Sequence, residues 1–343
     1  MLSAPERAKS VGLHYSDPED LPLRRRKSGA GFSYVDHRLR AVRDAKVKAR
    51  LAKLAVPPAW EEVRLARDPL SHIQAVGRDA AGRLQYRYHE RWSDTGEAVK
   101  LERLLALGRG LAGMRREVER QLRRSTVDQA FATAVALALL DRLGLRVGYP
   151  EYSREDGGRG ATTLTRRDVA VKDGRIRLRF DGKGGKRIQR VLEDAPLARA
   201  VALLRAAPGE MLFRWKDAEG ADRCLTADDV NTALRSRFGE TSSARDFRTF
   251  RASAITAGMM RGAGELTGGQ RERLLREAVR FSAEFLANTP TVARKSYVHP
   301  AVQARMLDEA FDPAPLFAGP PRNGLNRDET ALLRLLAREA KGA

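Results

Sequence analysis

Hydrophobic and polar positions change their period several times along the chain. From Asp36 to Leu54 the apolar residues Val42, Ala45, Val47, Leu51 and Leu54 recur at roughly helical spacing among many bases, predicting one amphipathic helix. Val56-Pro57-Pro58 stops it, because proline lacks the amide hydrogen and restricts the residue before it. Shorter runs follow at Val63–Ala66, His72–Gly77 and Leu84–Tyr88, separated by turn residues at Asp68-Pro69 and Asp79-Ala80-Ala81-Gly82. They predict a small antiparallel sheet. In the last run, alternation puts Tyr86 and Tyr88 on one face and Gln85 and Arg87 on the other. Two rings beside bases suit contact with sugars and phosphates, and cross-strand aromatic packing explains them equally well. The sheet is expected to end near Trp92-Ser93-Asp94.

Helical spacing then takes over. Residues 96–122 read as one long basic helix with Leu101, Leu104, Leu105, Leu111, Met114 and Val118 inward, and Gly108, Gly110 and Gly113 predict a bend. Ser125-Thr126-Val127-Asp128 resembles a capping box opening a strongly apolar, buried helix at Gln129–Leu143. A β insertion is predicted from Thr162–Leu164, Val169–Lys172, Arg175–Phe180 and Arg187–Leu192, with Lys183 on a glycine-rich hairpin tip. Helices resume at Leu197–Leu204, Thr226–Phe238, Phe247–Met260 and 270–287. Beyond about 312, four prolines mark a linker before a short helix, Asp328–Ala340. The class is α+β: a small antiparallel β-sheet N-terminal domain (1–96), a mainly α-helical domain with a short β-hairpin insertion (97–312), and a C-terminal linker and helix (313–343). Residues 1–30, with Arg24-Arg25-Arg26-Lys27, read as an extended basic arm or a solvated tail.

Charge narrows the partners. The 343 residues carry 64 Lys and Arg against 44 Asp and Glu, a formal net charge of +20, which favours a polyanion, nucleic acid first. No apolar run of about 18 residues suggests a membrane span, and the N-terminus lacks a signal peptide's apolar core. A cytoplasmic protein is expected, nucleoid-associated if it binds DNA. A single cysteine, Cys224, excludes internal disulfides and thiolate metal cages, and the five histidines make no i, i+4 pair, so no metal is expected. Gly182-Lys183-Gly184-Gly185-Lys186 is followed by Arg187 rather than a hydroxyl residue, so no nucleoside triphosphate cofactor is implied.

The chemistry concentrates near the C-terminus, in Ala287-Asn288-Thr289-Pro290-Thr291-Val292-Ala293-Arg294-Lys295-Ser296-Tyr297-Val298-His299-Pro300. A phenol titrates near pH 10 and is a poor nucleophile unless cations favour the phenolate or absorb charge on the phosphorus it attacks. A tyrosine packed at a helix end beside solvated bases is the plain alternative. Upstream stand Arg146 in Leu145-Arg146-Val147-Gly148, Lys183 at its tip, Arg248 at the head of a helix, and Asn288. This order resembles the type IB DNA topoisomerases, in the small poxvirus-like form found in bacteria. The likeness runs from about 20 to 312. It includes Pro57-Pro58-Ala59-Trp60, His72-Ile73-Gln74-Ala75-Val76-Gly77-Arg78-Asp79-Ala80, Gln85-Tyr86-Arg87-Tyr88-His89, Gly160-Ala161-Thr162-Thr163-Leu164 and Ala293-Arg294-Lys295-Ser296-Tyr297.

That resemblance implies that Tyr297 attacks a phosphodiester of double-stranded DNA, leaving a 3′-phosphotyrosyl link and a free 5′-hydroxyl. Arg146 and Arg248 then grip the nonbridging oxygens, Lys183 with help from Arg146 protonates the departing oxygen, and Asn288 donates to a nonbridging oxygen. Many relatives carry histidine at that last position. Supercoils of either sign relax by strand rotation before religation, without ATP or metal. Gln85, Tyr86, Tyr88 and Tyr152 are implied DNA contacts, and the two lobes a clamp around the duplex in a monomer. A tyrosine recombinase shares the chemistry, but usually places histidine three positions before the second arginine, where this chain has Arg245, and uses an all-helical core-binding domain. A non-catalytic architectural DNA-binding protein would fit the charge and leave the five filled positions unexplained.

Overall fold

In the first hundred residues, charge and strand formation coincide where local composition pointed to an arm. The structure is a computed structural model describing residues 3–150 and 157–342. The chain divides into two units, Met1–Lys100 and Leu101–Ala343. The first holds helix α1 (Ala4–Ser10), helix α2 (Ala45–Lys53) and an antiparallel five-stranded sheet. Its strands are β1 (Leu23–Ser28), β2 (Gly31–Val35), β3 (Glu61–Leu65), β4 (Ile73–Arg78) and β5 (Leu84–Tyr88), in the order β2-β1-β3-β4-β5. Leu23, Val63, Leu65 and Ala75 pack with Leu51 of α2, while Leu21, Ala66, Ile73 and Val76 pack with Tyr86 in a second cluster.

The expected arm is therefore strand β1, with Arg25 opposite Tyr34 and Leu23 opposite Leu65. Arg25 explains how so basic a segment becomes ordered. Its guanidinium donates to the carbonyls of Val56 (2.9 Å), Pro57 (3.0 Å) and Trp60 (2.7 Å) and lies 4.1 Å from the Phe32 ring centroid. A Pro-Pro segment lacks amide donors while its carbonyls still need partners, so a fork of five donors fits it well. The helix predicted from Asp36 begins only at Ala45. Asp44 caps it by accepting from the amides of Lys46 and Val47, and Asp36 instead closes a turn by accepting from the amides of Arg38 and Arg40.

Helix α3 (Glu90–Leu122) starts directly after the sheet, earlier than expected. Its glycines serve close approach: a Cβ on Gly108 would stand 2.9 Å from atoms of both Leu333 and Phe250. Helix α4 (Gln129–Leu143) has the predicted bounds, with Asp128 itself as the cap, accepting from the Phe131 amide, and Gly144 closing it at φ +60°. Strands β6 (Val169–Lys172), β7 (Arg175–Asp181) and β8 (Arg187–Glu193) form the predicted meander. Ile176, Leu178 and Phe180 face the core and alternate with exposed arginines. Ala161–Thr163 is a short 3-10 turn instead of a strand.

The remaining helices are α5 (Ala195–Ala206), α6 (Ala227–Phe238), α7 (Ala244–Met259), α8 (Gly268–Leu286), α9 (Pro290–Ser296), α10 (Pro300–Leu307), α11 (Ala314–Phe317) and α12 (Arg327–Gly342). A small hairpin, β9 (Arg214–Lys216) with β10 (Asp222–Cys224), was not expected. Nor was the role of the C-terminal helix. Leu332, Leu333, Leu335 and Leu336 of α12 are fully buried in the main core, and Glu329 is 0% exposed. The final segment is part of the second unit's core.

Candidate active site

Four segments meet around one phenol. Tyr297 ends α9, where its amide donates to the Ala293 carbonyl at 2.9 Å. Ser253, fully buried on α7, accepts from the His299 amide at 2.9 Å and donates to the Tyr297 carbonyl at 3.2 Å. One hydroxyl thus fixes the backbone on both sides of Val298. The Arg248 guanidinium stands 4.9 Å from the Tyr297 ring centroid and that of Arg245, one turn earlier on α7, 5.4 Å from it. Burial alone would push the phenol up. The charge of Arg248, a hydrogen bond from it, and the charges of Arg146 and Arg245 outweigh burial and hold Tyr297 below the ordinary phenol range.

Arg248 is only 3% exposed. Its Nη1 donates to the carbonyl of Gly144, the residue that caps α4, and its Nη2 to the carbonyl of Leu286 at 3.0 Å, the last residue of α8. Two helix C-termini thus point their carbonyl ends at one cation, each a favourable dipole for positive charge. No carboxylate pairs with Arg146, Arg245 or Arg248 among the described residues. Burial pushes Arg248 down to about 10, with the Arg146 charge adding to the effect and Tyr297 opposing it. At neutral pH it stays charged.

Arg146 sits in the loop after α4. The loop is pinned by backbone bonds from Ala161 to the Arg146 carbonyl (2.8 Å) and from Thr162 to the Val147 carbonyl (2.7 Å), and by the Thr162 hydroxyl to the Gly148 carbonyl (2.8 Å). The predicted strand at Thr162 gives way because its donors serve this loop. A Cβ on Gly160 would stand 2.5 Å from the Gly148 nitrogen, so only glycine permits the approach. Arg146 donates from Nη2 to Asn288 Oδ1 at 2.7 Å. That bond leaves the side-chain nitrogen of Asn288, Nδ2, buried without a partner, as is Nε of Arg248. An unmade buried hydrogen bond costs about 1–3 kcal/mol, so two spare donors at one site mark a place prepared for an acceptor.

Lys183 is exposed at the tip between β7 and β8, as expected, and its backbone packs against Gly158. A second tip lysine, Lys186, reaches the Asn288 carbonyl at 3.5 Å. The structure thus brings Arg146, Arg248, Asn288 and Tyr297 together and ties the Lys183 hairpin to the same helix end. In the first unit, Tyr86 and Tyr88 do share a face, their rings stacked with centroids 5.6 Å apart and 10° between planes. Tyr15 extends the aromatic surface by stacking on His72 at 4.5 Å. Gln85 donates to Asp79 Oδ2 at 3.0 Å. Tyr152 lies outside the described residues.

Sequence reasoning named five candidate positions and gave no site role to Ser253, Arg190 or Arg245, which pack around them. Ser253 is one more small polar residue on an apolar helix face, and Arg190 one more base on a basic strand. Only Arg245 left a local signal, as the base one turn before Arg248 on the same face.

Comparison with known proteins decides the family. A model of the catalytic core of eukaryotic DNA topoisomerase I matches residues 91–312. The chain belongs to the type IB DNA topoisomerases. A model of the N-terminal domain of bacterial DNA topoisomerase IB matches residues 31–79 in addition. The DNA topoisomerase 1B of Acanthamoeba polyphaga mimivirus is 28% identical over 282 residues, spanning 80% of this chain and 84% of the viral protein. Topoisomerase activity on DNA follows for this chain, and the recombinase and architectural alternatives fall away. All four clustered side chains lie inside the span matched by the catalytic-core model. Among the described residues, no helix is long and apolar enough to cross a membrane, and no three His, Cys, Asp or Glu side chains group as metal ligands do.

Proposed function

We propose that Tyr297 is the nucleophile of this topoisomerase and that Arg146, Lys183, Arg248 and Asn288 carry the transesterification. The observation that supports this most is the phenol of Tyr297 beside three guanidinium groups that no carboxylate answers among the described residues. The phenol oxygen bonds to phosphorus as the bond from phosphorus to the 5′-oxygen breaks. Its own proton passes to water, and the ammonium of Lys183 gives a proton to the departing oxygen. Arg146 and Arg248 meet the charge that builds on the nonbridging oxygens, and forked, always-charged groups suit that geometry. The spare N–H of Asn288 adds a donor that pH does not switch. The phosphotyrosyl link conserves the bond energy, so the cut strand turns about its partner before the 5′-hydroxyl attacks in reverse. The protein acts as a monomer at the nucleoid, with Gln85, Tyr86, Tyr88 and Tyr152 as further DNA contacts.

Purified protein should relax supercoiled plasmid of either sign in chelator without ATP. Tyr297→Phe, which removes only the phenol oxygen, should still bind duplex and form no detergent-trapped covalent adduct. A persisting adduct would mean that another residue attacks.

A further inference from the structure

The C-terminal end of α8 is covered by cations from three places. Arg248 takes the Leu286 carbonyl at 3.0 Å. Arg190, three residues beyond the start of β8, donates from one Nη2 to the Glu284 carbonyl at 3.0 Å and to the Phe285 carbonyl at 2.9 Å. Lys186 reaches the Asn288 carbonyl. The carbonyls of Glu284, Phe285 and Leu286 belong to the last turn of the helix, where positive charge is favoured by the dipole, and that of Asn288 follows just beyond it. Arg190 is half-buried, and burial lowers its pKa, so its contacts are partly shielded from water.

The same helix end presents Asn288, whose backbone N–H donates to the Ala283 carbonyl at 2.9 Å. Phe180, Gly182, Ile188 and Arg190 of the hairpin and Phe285 to Ala287 of the helix end wall one small cavity of about 20 Å³, together with Arg248. The hairpin is thus seated on the frame that holds the rest of the site, and Arg190 makes two polar bonds to that frame.

We propose that Arg190 is a positioning residue for the proton donor: by bolting β8 to the end of α8 it sets where the Lys183 tip stands relative to Tyr297, Arg248 and Asn288. This rests on the role given to Lys183 above. Arg190 itself touches no reacting atom. Losing it leaves the nucleophile and the guanidinium pair in place and frees the tip, so the defect falls on protonation of the leaving oxygen alone.

The test uses full-length protein and two suicide duplexes, one ordinary and one with sulfur replacing the 5′-bridging oxygen at the cleaved bond. A thiolate leaves without a proton, since thiols titrate near pH 8.5. Arg190→Ala should cleave the ordinary duplex about 10–100-fold more slowly, the scale of a displacement near 1 Å, and the sulfur duplex within a few-fold of wild type. Arg190→Lys, which restores one donor, should recover part of the ordinary rate. Equal slowing on both duplexes, or no slowing on the ordinary one, overturns the inference. Should Arg190→Ala fail to fold, Arg190→Met keeps the aliphatic stem and is read the same way. Lys183→Ala is run alongside. If sulfur does not rescue Lys183→Ala, the acid role itself falls, whereas rescue of that variant and not of Arg190→Ala refutes the positioning role only.

Discussion

Two arginine clusters in the second unit differ in what answers their charge. In one, Arg115 on α3 donates to both oxygens of Asp141 at 2.8 and 2.9 Å and to both oxygens of Glu329 at 2.8 and 2.9 Å, and Arg251 adds a bond to Glu329 at 2.7 Å. Every fork of Arg115 meets a carboxylate. In the other, Arg248 meets helix-end carbonyls and the phenol of Tyr297, with Arg146 and Arg245 nearby and no carboxylate paired with any of the three among the described residues. The first cluster ties α3, α4, α7 and α12 together and leaves Arg115 no donor to offer a ligand. The second leaves donors unspent and its charges in mutual repulsion, a state that an incoming phosphate relieves. Arg248 and Glu329 are both buried at the centre of their clusters, so the choice of counter-group, and not burial, separates the two.

The largest effect should come from the uncompensated cluster. Arg248→Lys keeps the charge and removes the fork, and cleavage measured in a single turnover should fall by about 100-fold to 1,000-fold. Full activity in that variant would mean the guanidinium only braces the two helix ends. The compensated cluster should respond in the opposite sense. Arg115→Met leaves Asp141 and Glu329 buried with less positive charge, and should destabilise the fold by about 3–5 kcal/mol, lowering the melting temperature by roughly 10 °C. Activity below the melting transition should stay within a few-fold of wild type, and a large loss there would merge the two clusters into one.

The smallest effect is in acid. Burial alone would raise Glu329, yet the bonds and charge of Arg115, with help from Arg251, hold it below its ordinary value of 4.5. A carboxylate with a depressed folded pKa contributes stability that is present above its unfolded value and lost as pH falls through the folded one. Melting temperature should therefore drop on acidification below about pH 4.5, and that drop should be shallower in Glu329→Gln. An unchanged acid limb would place the linkage on other carboxylates.

How much was legible follows from where each residue's partners lie. Helix α4 was readable to its ends because an apolar run, an Asp cap and a glycine stop all sit within its own stretch. Strand β1 reads as an arm in sequence because the carbonyls that order Arg25 lie 31 to 35 positions away. The β9–β10 hairpin has three residues per strand, too few for a period to register. The C-terminal helix reads as an appendage because its prolines mark a linker, whereas its leucines fill the core of the second unit.

The sequence alone determined the charge, the class of fold and the family, and offered five candidate site residues in their order, because periodicity, capping and family motifs are local. The tertiary structure alone decided that Arg248 is answered by carbonyls and Arg115 by carboxylates, since those partners lie 104 and 214 positions apart. It also decided that Arg190 reaches across 95 positions and Ser253 across 44 to hold the site. A side chain's type is written in the chain, but the group that neutralises, pins or leaves it unspent comes from wherever packing brings another segment close.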